Sequence, residues 1–371
     1  MAETVGHKDV LARDVWCLMG LPFDAVSQAQ AASELERSIL NRRSCFLSTP
    51  NLNFVVSAQS EHDFFESVLD SDLVVADGMP IVWVAKLLGI PISERVAGSS
   101  LFNALSTREP ANGRIKVFFF GGLPGVAEGA CDALNSMSEG MECCGYADPG
   151  FVSVDDMSSP DILDKINRTK PDFLVVALGA KKGQAWIQKN KDLLKVPVFS
   201  HLGAVINFVA GTVERAPKVW QKLGLEWLWR IKQEPALWRR YLTDGVLFVK
   251  FLVFNIIPLW LLNKITLLFS NVEDRPEIAW QDDDETCISL KGVVDDRYRD
   301  QVINCFMTVR DELDSNVVID CTNLEFIDSA CIASLLLFQS ELKKRNRTLT
   351  IKHLGWRTRL IFKLNQVWKR F

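Results

Sequence analysis

Apolar residues recur along this chain in short runs, separated by polar stretches with helical spacing. The runs at 14–19, 45–48, 73–76, 116–121, 172–178 and 196–202 have the length and composition of strands. Between them, residues 26–41, 61–69 and 126–136 place apolar side chains three and four apart, as an amphipathic helix does. Strands alternating with helices predict a layered α/β sheet with parallel strands over residues 1–212. Sheets of this kind bind ligands beyond the carboxyl ends of their strands.

After residue 212 the pattern changes. Trp220, Trp227, Trp229, Trp238 and Trp260 cluster within 213–270, cations are dense at 215–240, and the run GVLFVKFLVFNIIPLWLLNKITLLF follows. A span needs about 20 apolar residues, and Lys250, Asn255 and Pro258 interrupt this one. Three readings stand: a core or oligomer contact, a transmembrane span, or a helix lying on the membrane surface. Tryptophans and cations ahead of the apolar run favour the last. Residues 271–285, with the acid cluster of EDRPEIAWQDDDE, read as a linker. Beyond it, strands at 286–290, 316–321 and 348–353 and helices at 296–313, 329–344 and 357–362 predict a smaller α/β module, residues 286–371.

Composition narrows the function. The chain is 48% apolar and 24% charged, ordinary for globular units with sizeable cores. A net charge of −4 argues against a general nucleic-acid binder, which needs a basic face. The cysteines include no C-x-x-C pair, so neither a zinc ribbon nor a redox dithiol is predicted, and free or buried thiols in a reducing cytosol are expected. His7, His62, His201 and His353 are far apart, so no histidine-based metal site is predicted. The amino terminus lacks the pattern of a signal peptide, which predicts a cytosolic chain.

The candidate chemistry gathers where strands end. LDSDLVVADGMPIVW carries an apolar strand into Asp77-Gly78 and a helix start, the position of a catalytic acid or of a simple helix cap. Thr49 and Asn51 follow the preceding strand and offer hydroxyl and amide groups to a sugar or phosphate, or serve only as turn residues. Arg95 lies beside a glycine loop and could brace a pyrophosphate. Gly121 and Gly122 end FFFGG and could let the backbone approach a phosphate or simply make a tight turn. Lys181 and Lys182 follow the strand end at Leu178, where cations suit an anionic leaving group.

The ordered set T-P-N, A-D-G-M-P, E-R-V-A-G, F-F-G-G, L-G-A-x-x-x-x-A-W, A-G-x-x-x-R-A-P and G-L-E-W-L-W-R resembles the WecG/TagA/CpsF glycosyltransferases over about residues 15–245. The resemblance implies a Rossmann-like layered α/β glycosyltransferase domain with a helical membrane-binding appendage. It implies inverting transfer of an N-acetylhexosamine, typically N-acetylmannosamine, from a UDP-sugar to a polyprenyl-diphosphate-linked sugar in surface polysaccharide synthesis. Asp77 then acts as general base, and Thr49, Asn51 and Arg95 match pocket positions. Lys182 and Gln184 fall on the family's nucleotide loop. With neither metal nor cofactor expected, Arg215, Arg230, Arg239 and Arg240 are the cations that would neutralise the leaving UDP. The chain departs from the family where the usual P-K-Q-E reads Lys181, Lys182, Gly183, Gln184, and at Asn207, where an acid is typical.

VVIDCTNLEFIDSACIASLLLFQSELKKRNRTLTI resembles a STAS domain, with Asp328-Ser329 at a helix start. Many such domains are switched by phosphorylation of that serine, so Ser329 is a candidate regulatory site for a protein partner, or only a helix-terminal serine. The expected protein is a cytoplasmic enzyme held peripherally on the inner face of the membrane, with homo-oligomerisation left open. The competing reading is a non-catalytic scaffold that recruits a polysaccharide assembly complex through its STAS domain.

Overall fold

The computed structural model describes residues 9–109, 113–222, 224–269, 275–282 and 285–371. Two compact units emerge: one is Val26–Val82 with Ile92–Val246, and the other joins the residues before Val26 to Trp83–Pro91 and Leu247–Phe371.

The first elements are β1 (Val15–Leu18) and β2 (Leu21–Asp24), an antiparallel hairpin turned by Met19 and Gly20. Both turn residues have positive φ, 49° and 84°, as in the type I′ turn whose twist matches its strands. The apolar run at 14–19 therefore does not join the large parallel sheet; it pairs with β2 alone.

Next come α1 (Gln28–Leu40), β3 (Cys45–Ser48), α2 (Leu52–Ser60), α3 (His62–Leu69), β4 (Leu73–Val74), α4 (Met79–Leu88) and α5 (Gly98–Ser106). They are followed by β5 (Ile115–Gly121), α6 (Val126–Met137), β6 (Met141–Ala147), α7 (Pro160–Thr169), β7 (Phe173–Ala177), α8 (Ala180–Asn190), β8 (Val198–His201) and α9 (Gly203–Val209). Strands β3 to β8 form one parallel sheet in the order β4-β3-β8-β7-β5-β6. Phe118, Phe119 and Phe120 of β5 show why both faces are covered. Successive strand residues point to opposite faces, and all three rings are fully buried. Phe118 and Phe120 join Phe46, Ile166 and Trp186 in one core, while Phe119 joins Leu35, Phe102 and Ala130 in the other. Cys131 of α6 and Cys143 of β6 are joined by a disulfide, which corrects the expectation of free or buried thiols at these two positions. The helix-turn-strand connection brings their Cα atoms to 5.1 Å.

Beyond the sheet lie α10 (Lys218–Lys222), α11 (Glu226–Gln233) and α12 (Trp238–Phe251), then a π-helical stretch, Leu252–Ile256, and α13 (Ile257–Phe269). Ile256 and Leu259 are buried, whereas Val253, Ile257, Leu261 and Ile265 are exposed. The segment therefore keeps one face within the protein and one apolar face uncovered.

The carboxyl-terminal domain contains β9 (Glu277–Asp282), β10 (Thr286–Val294), α14 (Arg299–Glu312), β11 (Val317–Asp320), β12 (Leu324–Ile327), α15 (Ser329–Lys344), β13 (Leu349–Lys352) and α16 (Trp356–Leu364). Strands β12, β10, β11 and β13 run parallel, and β9 pairs antiparallel with β10. Part of the expected linker is thus an edge strand, Glu277–Asp282, largely exposed, where the edge tolerates the acids. Residues 271–274 and 283–284 lie outside the described residues.

Helix α15 is buried almost all round, from Ala330 to Leu342. Phe338 stacks on Phe306 of α14 with ring centroids 4.3 Å apart, and β1 covers another side. Arg299 of α14 donates to the Asp14 carboxylate and to the Val15 carbonyl (3.1 Å), with its guanidinium 4.7 Å from the Trp16 ring centroid. Arg310 grips Asp9 with two bonds, 2.7 and 2.5 Å, the strong bidentate geometry of guanidinium and carboxylate. The amino-terminal hairpin is therefore part of the carboxyl-terminal domain's core.

Candidate active site

β4 ends at Val74, and the next residues turn over the carboxyl edge of the sheet. Three backbone bonds fix that turn: Val75 N–H to the Ser48 carbonyl (3.0 Å), Asp77 N–H to Pro50 (2.9 Å) and Val96 N–H to Ala76 (2.9 Å). Residues 48–50, 75–77 and 96 are thereby laid side by side. Gly98 closes the arrangement, because a Cβ there would lie 2.3 Å from Leu202 and 3.3 Å from Thr49 Cγ2.

Asp77, Arg95, Glu226 and Arg215 make a set of four ionisable groups of alternating sign. The Gly98 N–H donates to Asp77 Oδ2 (3.4 Å), and Arg95 Nε lies 4.0 Å from Oδ1. Arg95 also donates to Glu226 of α11 (2.5 Å), and Arg215 donates to the Ser100 hydroxyl. Burial pushes the Asp77 carboxyl up to about 6; Arg95 pulls against this and Glu226 adds to it. A carboxylate tuned toward neutrality is suited to general-base work. Burial also lowers Arg215, although Glu226 counters it.

The structure thus brings Thr49, Asp77, Arg95 and Arg215 together, and adds Glu226. Glu226 stands in the quoted G-L-E-W-L-W-R run, but only the fold shows that it meets Arg95. Asn51 caps α2 by accepting from the Phe54 N–H (3.2 Å), and its Cα lies against Gly78.

Several of the other candidates have structural duties. Gly121 has a φ of 95°, and a Cβ there would come within 2.7 Å of the Ala177 carbonyl oxygen. The Gly122 N–H donates to that same carbonyl (2.9 Å), so it is not free to cradle a phosphate. Lys182 donates to the Val152 carbonyl (3.0 Å). Gln184 is fully buried, donating to the Ser48 hydroxyl (2.6 Å), rather than on a nucleotide-binding surface. Arg230 pairs with Glu234 at 3.7 Å. Arg239 and Arg240 line another cavity, with Asn53 and Lys181. Ser329, in the carboxyl-terminal domain, is half-buried at the first turn of α15, beside the capping carboxylate of Asp328.

Gly183 has a local explanation. A Cβ on it would lie 2.3 Å from His201 Cδ2, so the imidazole occupies the space a larger residue would need. Burial lowers His201 to about 4, leaving the ring neutral at physiological pH. Gly183→Ala is expected to cost about 1–3 kcal/mol by overpacking, and to cost less when His201 is changed to Gly. Denaturant unfolding of the two singles and the double measures that coupling. Equal costs in both backgrounds would show that the ring and residue 183 do not share the space.

Comparison with known proteins places these elements in context. The model of the glycosyl transferase WecG/TagA/CpsF family matches residues 16–259, and that of the Mlab, STAS domain matches residues 279–367. An N-acetylglucosaminyldiphosphoundecaprenol N-acetyl-beta-D-mannosaminyltransferase of Bacillus spizizenii is 32% identical over 219 residues, covering 57% of this chain and 83% of the relative. Proteins of the same name from Bacillus subtilis and Staphylococcus aureus (strain MW2) are 28% and 25% identical. The alignments cover 56% and 60% of this chain and 80% and 85% of those relatives. With its Asp77 turn on the edge of a parallel sheet and a second α/β domain later in the sequence, the chain belongs to the WecG/TagA/CpsF glycosyl transferase family and carries a carboxyl-terminal STAS domain.

Proposed function

We propose that this chain transfers N-acetylmannosamine from a UDP-sugar to a sugar carried on polyprenyl diphosphate, with inversion, at the inner face of the cell membrane. The observation that carries the reading is the Asp77 carboxyl, pushed to about 6 by burial and set beside two guanidiniums. The acceptor hydroxyl oxygen forms the new bond to the anomeric carbon while Asp77 takes its proton. The bond from that carbon to the UDP oxygen breaks, and UDP leaves with the electron pair. Arg95 and Arg215 balance its charge, since donors fixed where charge develops act strongly in a partly desolvated site. Glu226 holds Arg95 in place and must yield part of that guanidinium to a phosphate. The names of the relatives support the sugar and the lipid acceptor. The exposed apolar face of α12 and α13 supports membrane association. The STAS domain is the regulatory module in this reading, with Ser329 as its phosphorylation site.

UDP release from UDP-N-acetylmannosamine tests the proposal, with a polyprenyl-diphosphate-N-acetylglucosamine analogue as acceptor. Release that depends on the acceptor is expected. Silence with this and every other UDP-sugar would turn the reading to a non-catalytic scaffold.

A further inference from the structure

A cavity of about 420 Å³ is bounded by α2, the start of α8 and α12. Asn53, Ser57, Lys181, Arg239, Arg240 and Thr243 line it, and Asp77, Arg95 and Arg215 do not. Three cations converge on it against one acid, Asp244, which is buried and accepts from the Asn53 amide (3.4 Å). Lys181 pairs with Glu61 at the rim. Neither Arg239 nor Arg240 lies within ion-pair distance of an acid among the described residues; they rest over the rings of Trp238 (5.5 Å) and Tyr241 (5.2 Å). Two exposed guanidiniums and an ammonium around a hollow lined with hydroxyl and amide groups suit two adjoining phosphoryl groups.

The helix that carries both arginines belongs to a continuous helical run of 32 residues, Pro235–Thr266, whose most apolar stretch is 11% buried. Leu242, Val246 and Val249 of α12 are all exposed along it. Their spacing of three and four puts them on one stripe that starts beside the guanidiniums. A ligand that is a diphosphate at one end and a long hydrocarbon at the other matches both features. A nucleoside would leave the stripe unused.

We infer that Lys181, Arg239 and Arg240 hold the diphosphate of the lipid-linked acceptor, with its prenyl chain along the exposed stripe of α12. This rests on the transferase reading, in which two diphosphates meet at one sheet edge. The donor's diphosphate belongs to Arg95 and Arg215, and the acceptor's to this second set. Arg239 and Arg240 thus move from the leaving group, where the sequence alone had put them, to the acceptor.

The test compares the full-length protein with its Arg239→Ala/Arg240→Ala double variant, both side chains being exposed and outside the core. Farnesyl diphosphate binding, followed by calorimetry, is expected to weaken about tenfold or more, as loss of charge-assisted bonds implies. In turnover, the KM for the lipid acceptor should rise by a similar factor while the KM for the UDP-sugar stays unchanged. Unchanged farnesyl diphosphate binding, or a rise confined to the UDP-sugar KM, would overturn the assignment. Sedimentation with neutral vesicles carrying farnesyl diphosphate, against phosphatidylglycerol vesicles of equal charge, separates the acceptor from a merely anionic surface. Equal losses on both would also overturn it. If no UDP-sugar is turned over, the transferase reading fails, yet the farnesyl diphosphate arm still decides the site.

Discussion

Asp77→Asn should lower acceptor-dependent UDP release by about 10²–10⁴-fold, the usual contribution of a positioned base, while making the protein more stable. The two effects share one cause. Burial makes the ionised carboxyl costly, and the amide keeps the shape without the charge. Between about pH 4 and 6 the folded protein holds a proton that the unfolded chain has released, so this group's contribution to stability falls as pH rises through that window. At neutral pH the full cost applies, and Asn should recover about 1–3 kcal/mol of it. Turnover by the wild type should follow the opposite course, rising with pH through about 6 as the base ionises. A thermal melt and a pH–rate profile measure both. A variant that keeps its activity removes Asp77 from the chemistry, and one that loses activity together with its fold makes Asp77 structural.

Deleting residues 1–25 should unfold the STAS domain while leaving the parallel sheet folded. Leu11, Val15, Cys17, Leu18, Leu21 and Phe23 are all fully buried, and large aliphatic or aromatic side chains of this kind contribute about 1.5–3 kcal/mol each. Their sum approaches the whole stability of a small domain, about 5–15 kcal/mol. Loss of the hairpin would also take Asp14 from Arg299 and Asp9 from Arg310, leaving them Asp296 and Asp311. Amide hydrogen exchange across α14 and α15 is the readout. Collapse of protection there, with β5 and β7 still protected, is the expected result. Full protection of α15 in the truncated chain would make the hairpin a passenger.

Much of the site was legible in the sequence. The acid-glycine turn after an apolar run put Asp77 at a strand end, and the ordered motifs tied Thr49, Arg95 and Arg215 to it. Local pattern also found most of the parallel strands. It missed β6, whose half-buried MECCGYA shows little apolar alternation at a sheet edge. It missed the hairpin because Met19-Gly20 is not one of the usual type I′ pairs and because the hairpin's covering partner comes from the far end of the chain. The pairing of Glu226 with Arg95 and the fit of His201 against Gly183 were hidden for a related reason. Each is a relation between two distant positions, and neither residue alone departs from what a loop or a strand end permits.

The hairpin also has a consequence for how the chain is made. Asp14 and its partner Arg299 are 285 residues apart. A ribosome adding about 5–20 residues per second needs roughly a quarter of a minute to a minute to cover that interval. Throughout that time the parallel sheet can assemble, while the apolar strands at the amino terminus wait uncovered for a helix not yet synthesised. Any product released early would carry that exposed hairpin as a mark of incompleteness, open to chaperones and proteases, and only a chain translated through α15 could conceal it.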